Sequence, residues 1–182
     1  REPIADGLAM HAICLLHRFL PVCVDNGRDL AARGQVQLAA TMAGWAFGNV
    51  LVGIIHAMAH SLGAVARVPH GIANGILLPH GMAFNAGDAA EGYAMAAEAM
   101  GVRERGMGDR EATEAAIAAV RLLLVQIGHP LRFSDLGVTE EHLEKAAALS
   151  LSDGAIVNNP RPVAEAEEVL AVPLVPGRVL DD

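Results

Sequence analysis

Apolar positions along this chain recur at three- and four-residue spacing almost throughout, the period of helices packed on one face. No stretch sustains the apolar and polar alternation of a strand. Residues 3–21 read as an apolar helix ended near Pro21, with "VDNGRD" as a turn in which Asp25 or Asn26 caps the next helix. That second helix is expected over 28–46. A third, over 50–62, should stop at Gly63, the residue type that tolerates a left-handed C-terminal cap. The connection "AVARVP" then places His70 at or just before the start of a helix over 71–84, which Pro79 should kink.

The later pattern is as regular. "AGDAAEGYAMAAEAMG" continues as a helix closed by Gly101, and Asp109 can cap "REATEAAIAAVRLLLVQIG" after the polar loop "VRERGMGD". Thr139 is a good N-cap, with Glu140 and Glu141 where the helix dipole favours negative charge. That helix should run to about Leu151, "SDGAIVNNPRP" comes next as a turn, and a last acidic helix is expected near 163–171. The expectation is one all-α domain over 1–171 with a loose tail over 172–182. A chain of 182 residues buries roughly 70% of its unfolded surface on folding, enough for a real core.

Composition agrees. Apolar residues make up 53% and aromatics only 3%, so the core is built from Ala, Leu, Val, Ile and Met. A net charge of −8 with thirteen scattered Lys and Arg argues against a nucleic-acid partner. Cys14 and Cys23 would lie about two and a half turns apart on one helix, too far to bridge. That fits a reducing, cytoplasmic compartment. Residues 34–66 hold no Asp, Glu, Lys or Arg and mean hydropathy is +0.35, yet the run carries Gln, Asn and His, is broken by four glycines and lacks aromatic belts. A bilayer span is therefore not expected. The first residue is Arg1 with a helical pattern under way by Ile4, which reads as the later portion of a longer polypeptide.

Polar chemistry concentrates in "GIIHAMAHSLGAVARVPHG", residues 53–71. On a helix His56 and His60 project about 40° apart, from the same face. His70 comes after a tight connection and could fold back toward them. Such imidazoles either bond carbonyls within a packed helix pair or converge on zinc, iron, nickel or copper. The segment is not a zinc-peptidase motif, because Ala57 stands where the general base would be. His17, His129 and His142 read as solvated, and His80 as packing or surface.

The stretch "NVLVGIIHAMAHSLGAVARVPHGIANGILLPHGMAFN", residues 49–85, resembles the signature of the iron-containing (group III) alcohol dehydrogenases. "DGLAMHAI", "AARGQVQLAATMAGWAF" and "NNPRP" extend the resemblance over most of the chain. It implies the helical metal-binding domain of a dehydroquinate synthase-like architecture, whose partner is an N-terminal nucleotide-binding domain. It implies a divalent metal, iron or alternatively zinc, and NAD or NADP. The reaction implied interconverts a small alcohol and its aldehyde or ketone, in a homo-oligomer away from membranes. By resemblance His56 and His70 fall on the last two metal ligands, His60 on a histidine that positions the cofactor or relays a proton, and Phe47 on the substrate pocket.

The family's first two ligands, an aspartate and a histidine four residues apart, would precede Arg1. Asp6 and His11 are five apart, about 140° around a helix, and do not replace them. Asn159, Pro160 and Arg161 match a family element near the cleft; from the residues alone, "NPR" reads as a turn holding a helix boundary. Two rival readings stand beside the dehydrogenase. One is a non-catalytic interaction or structural remnant. The other is a carbonyl-reducing or hydroxyacid–oxoacid transhydrogenase-like relative.

Overall fold

A computed structural model of the chain describes residues 2–170, in which eight α-helices are joined by short connections and no strand occurs. The helices are α1 (Pro3–Asp25), α2 (Leu30–Val50), α3 (Ile54–Ala66), α4 (His70–Phe84), α5 (Ala90–Met100), α6 (Asp109–Gln126), α7 (Glu140–Ser150) and α8 (Ala166–Leu170). Two 3₁₀ turns, Phe133–Leu136 and Gly154–Asn158, lie on either side of α7. The all-α expectation holds. The tail expected over 172–182 lies outside the described residues.

Three boundaries differ from those expected, each for a local reason. α1 runs through Pro21 to Asp25; packing along α2 outweighs the one backbone hydrogen bond that proline cannot donate. The cap of α2 is Asp29, which accepts the Ala32 N–H at 3.0 Å, while Asn26 accepts from Arg28 in the preceding turn. Gly63 stays inside α3, and the left-handed position passes to Arg67, with φ of 55°. The start of α3 moves as well, from the expected 50 to Ile54, because α2 runs on to Val50. Pro69 then sits outside α4 and leaves His70 as its first residue.

The helices fall into two compact units. One comprises the chain up to Leu51 together with Ala89–Gly128. In it α1 packs on α2 and α5, and α5 on α6. Ala12, Leu15 and Ala39 form a small core flanked by Phe19 and Met42. The Thr113 hydroxyl donates to Ala90 O at 3.2 Å. Leu30, Leu38 and Trp45 are exposed on α2. By length and composition α1 is apolar enough to cross a bilayer, whereas residues 34–66 are divided by the break between α2 and α3.

The other unit comprises Val52–Asp88 and the chain from His129 onward. Here α3 packs against α4, α7 and the Gly154–Asn158 turn. Ile54, Met58 and Leu62, at four-residue spacing, are almost wholly buried with Leu77, Leu143 and Val169. Each such side chain contributes about 1.5–3 kcal/mol relative to exposure. With that stripe turned inward, helical periodicity puts His56 and His60 on the opposite side of α3.

Candidate metal centre

The start of α3 is held by a side chain from far along the chain. Asn159 Oδ1 accepts the Ile54 N–H at 3.1 Å, satisfying one of the amides that a helix start leaves without a partner. The same oxygen accepts from Asn85 Nδ2 at 3.0 Å, and Asn159 Nδ2 donates to Asn85 Oδ1 at 2.7 Å and to Arg161 O at 2.7 Å. The Arg161 guanidinium lies 4.2 Å from the Phe84 ring centroid. The "NPR" segment therefore does secure a helix boundary, that of α3.

On this mount three imidazoles come together. Ring centroids are 6.0 Å apart for His56 and His60, 5.4 Å for His56 and His70, and 5.3 Å for His60 and His70. His56 is half-buried; His60 and His70 are exposed. Burial lowers the His56 pKa from its ordinary 6.5, and His70 and His60 lower it further, against an opposing pull from Asp153. A neutral imidazole is the form a metal needs.

Ring orientation and partners distinguish the three. Two imidazoles on one tetrahedral ion, with metal–nitrogen bonds of about 2.0–2.1 Å, have centroids about 5 Å apart. His56 and His70 meet that spacing, and their planes cross at 56°, so lone pairs in those planes can converge. His60 stacks on His70 with an interplanar angle of only 15°. His60 is set apart from the other two by Asp153, which engages its Nδ1 at 2.8 Å.

The other edges of the rings have partners. His60 Nδ1 is 2.8 Å from Asp153 Oδ2. Asn74 Nδ2 donates to His70 O at 2.9 Å and stands 3.1 Å from His70 Nε2, the lone pair that His70 would turn from this contact to an ion. Asn74 Oδ1 is buried and has no hydrogen-bond partner among the described residues. Among the described residues no set of three or more His, Cys, Asp or Glu side chains forms a metal cage. What is present fits two donors of a larger set.

Phe47 lies on α2 in the first unit and is 51% exposed. Asp153 was not singled out from the sequence. It stands ninety-three positions from His60, and the only local signal was its place before Gly154 as a turn cap. His17, His129 and His142, expected to be solvated, are each partly buried. His129 packs its ring against Gly75 and donates from Nδ1 to Pro130 O, while His142 closes the capping box of Thr139.

The C-terminal model of the Fe-containing alcohol dehydrogenase family matches residues 1–172. The chain is 42% identical over 171 residues to the 1,3-propanediol dehydrogenase of Klebsiella pneumoniae, covering 94% of this chain and 44% of that protein. It is 35% identical over 170 residues to the NAD-dependent methanol dehydrogenase of Bacillus methanolicus, covering 93% and 44%. A crystal structure of a 1,3-propanediol oxidoreductase superposes with a TM-score of 0.90 at 40% identity, over 94% of this chain and 44% of that one. The chain thus spans less than half the length of these relatives.

Proposed function

Because the chain belongs to the iron-containing alcohol dehydrogenase family, through its C-terminal helical domain, we propose that it is the metal-binding part of an NAD(P)-linked enzyme interconverting a small alcohol and its aldehyde or ketone. The observation that carries this reading is the approach of His56 and His70, 5.4 Å between centroids with crossing planes. These two side chains hold a divalent cation, iron by family with zinc as the alternative, together with the aspartate and histidine that the resemblance places, four residues apart on one helix, upstream of Arg1. That cation, when bound, supplies Lewis acidity toward the substrate oxygen.

The chain's own residues do the rest of the work assigned to this domain. His56, held neutral by burial, is ready as a donor without first losing a proton. His60, engaged at Nδ1 by Asp153, is left to face the nicotinamide side, where it positions the cofactor or moves a proton. Phe47 borders the pocket for the alkyl part of the substrate. Names of relatives that specify 1,3-propanediol and methanol as substrates favour a short alcohol here. We place the enzyme in the cytoplasm, as a homo-oligomer.

The absence of a metal cage among the described residues favours a second reading, a non-catalytic module that keeps the packing alone. NAD-linked oxidation of methanol, 1-propanol and 1,3-propanediol by the chain joined to the whole upstream part of a relative, its nucleotide-binding domain and the helix with the Asp and His ligands included, loaded anaerobically with Fe²⁺, separates the two. Turnover that depends on both Fe²⁺ and the histidines supports the dehydrogenase. A folded, soluble fusion that binds NAD and turns over none of them supports the module.

A further inference from the structure

A carboxylate accepts hydrogen bonds and cannot donate them, so whatever faces an ionised Asp153 must bring the proton. Burial alone would raise the Asp153 pKa, but the Ala155 N–H and then the His60 hydrogen bond outweigh it, and the group lies below its ordinary 3.8. Asp153 Oδ2 is 2.8 Å from His60 Nδ1. A neutral His60 in this contact carries its hydrogen on Nδ1, and Nε2 is bare.

Both partners are fixed in place. Asp153 Oδ1 caps the Gly154–Asn158 turn by accepting the Ala155 N–H at 2.8 Å. Beside the pair, the buried Ser150 hydroxyl donates to Ser61 Oγ at 3.1 Å, tying α7 to α3 one residue from His60 and three from Asp153. The His70 ring lies nearly parallel to that of His60, at 15°, with centroids 5.3 Å apart. With the Nδ1 edge on Asp153, the Nε2 edge is left for another partner, on a side chain 47% exposed.

We propose that Asp153 is a positioning residue that locks His60 as the Nδ1–H tautomer, so that Nε2 serves as the hydrogen-bond acceptor for a hydroxyl group of substrate or cofactor. This rests on the dehydrogenase reading for the identity of the hydroxyl, and on the geometry alone for the tautomer. An asparagine at 153 can still cap Ala155 through Oδ1, but it turns an NH₂ toward Nδ1. His60 must then carry its hydrogen on Nε2 and loses the acceptor.

The test is long-range ¹H–¹⁵N correlation of the His60 ring in the ¹⁵N-labelled chain at pH 8, for the wild type, Asp153→Asn and Asp153→Ala, with thermal melts as folding controls. Protonated Nδ1 with bare Nε2 in the wild type, reversed in Asp153→Asn, is the expected result. In the Fe²⁺-loaded two-domain fusion Asp153→Asn should lower kcat about 100-fold or more with KM unchanged. Wild-type His60 protonated on Nε2, or a tautomer that Asp153→Asn leaves unchanged, overturns the lock while leaving the dehydrogenase reading intact. A tautomer that reverses as expected in a fusion without turnover keeps the lock and removes its proposed hydroxyl. If Asp153→Asn does not fold, the wild-type spectrum still decides the tautomer.

Discussion

Asn159 and Asn85 exchange both of their side-chain amide hydrogen bonds, at 2.7 and 3.0 Å, across seventy-four residues of sequence. Both are buried, and Asn159 Oδ1 also accepts the first amide of α3. The helix that carries His56 and His60 is therefore seated by a polar contact as much as by its apolar stripe.

Asn159→Ala should accordingly be among the costlier single substitutions in this unit. It strands the Ile54 N–H and both polar atoms of Asn85, and a buried group left unpaired costs about 1–3 kcal/mol. Urea denaturation should show a loss of at least about 2 kcal/mol, with α3 amide exchange rising first at Ile54.

Gly53 touches the same device. A Cβ added there would stand 2.7 Å from Asn159 Oδ1, so Gly53→Ala should cost about 1–3 kcal/mol by pushing that side chain off Ile54. Since both substitutions act on one contact, the double variant with Asn159→Ala should lose less than the sum of the two. Strict additivity in the denaturation midpoints would mean that the two positions act separately.

Acid should loosen the metal-free chain through His56. Its folded pKa is below the ordinary 6.5, so the unfolded chain binds more protons than the folded one in that range. The stability held by the neutral ring is present above pH 6.5 and is lost as pH falls through the lower folded value. His60 and His70 add to the effect when protonated, and Asp153 opposes it. Urea midpoints from pH 8 to pH 5 should fall, and His56→Gln should flatten that fall. Asp153, also lowered, adds a separate loss only below its ordinary 3.8.

Helical periodicity made most of this fold readable, because spacing reports which face a helix buries. The His56 and His60 pair was legible for the same reason. Boundaries were less so. Gly63 looks like a terminator, but α3 continues to Ala66 and places Arg67 in the left-handed position instead. Pro21 looks like a stop, but tertiary packing carries α1 past it. Asp153 illustrates the deeper limit: its role as a partner of His60 depends on where α7 lies against α3, a long-range arrangement that no local spacing records.

The central claim is that His56 and His70 form a pair of donors for one ion, with His60 outside the set. Calorimetric titration of the chelator-treated chain with Zn²⁺ at pH 7.5 tests it most directly, comparing the wild type with His56→Ala, His70→Ala and His60→Ala. One ion bound weakly by the wild type and by His60→Ala, with binding lost in the other two variants, is the predicted result. Undiminished binding in His56→Ala and His70→Ala would contradict the account.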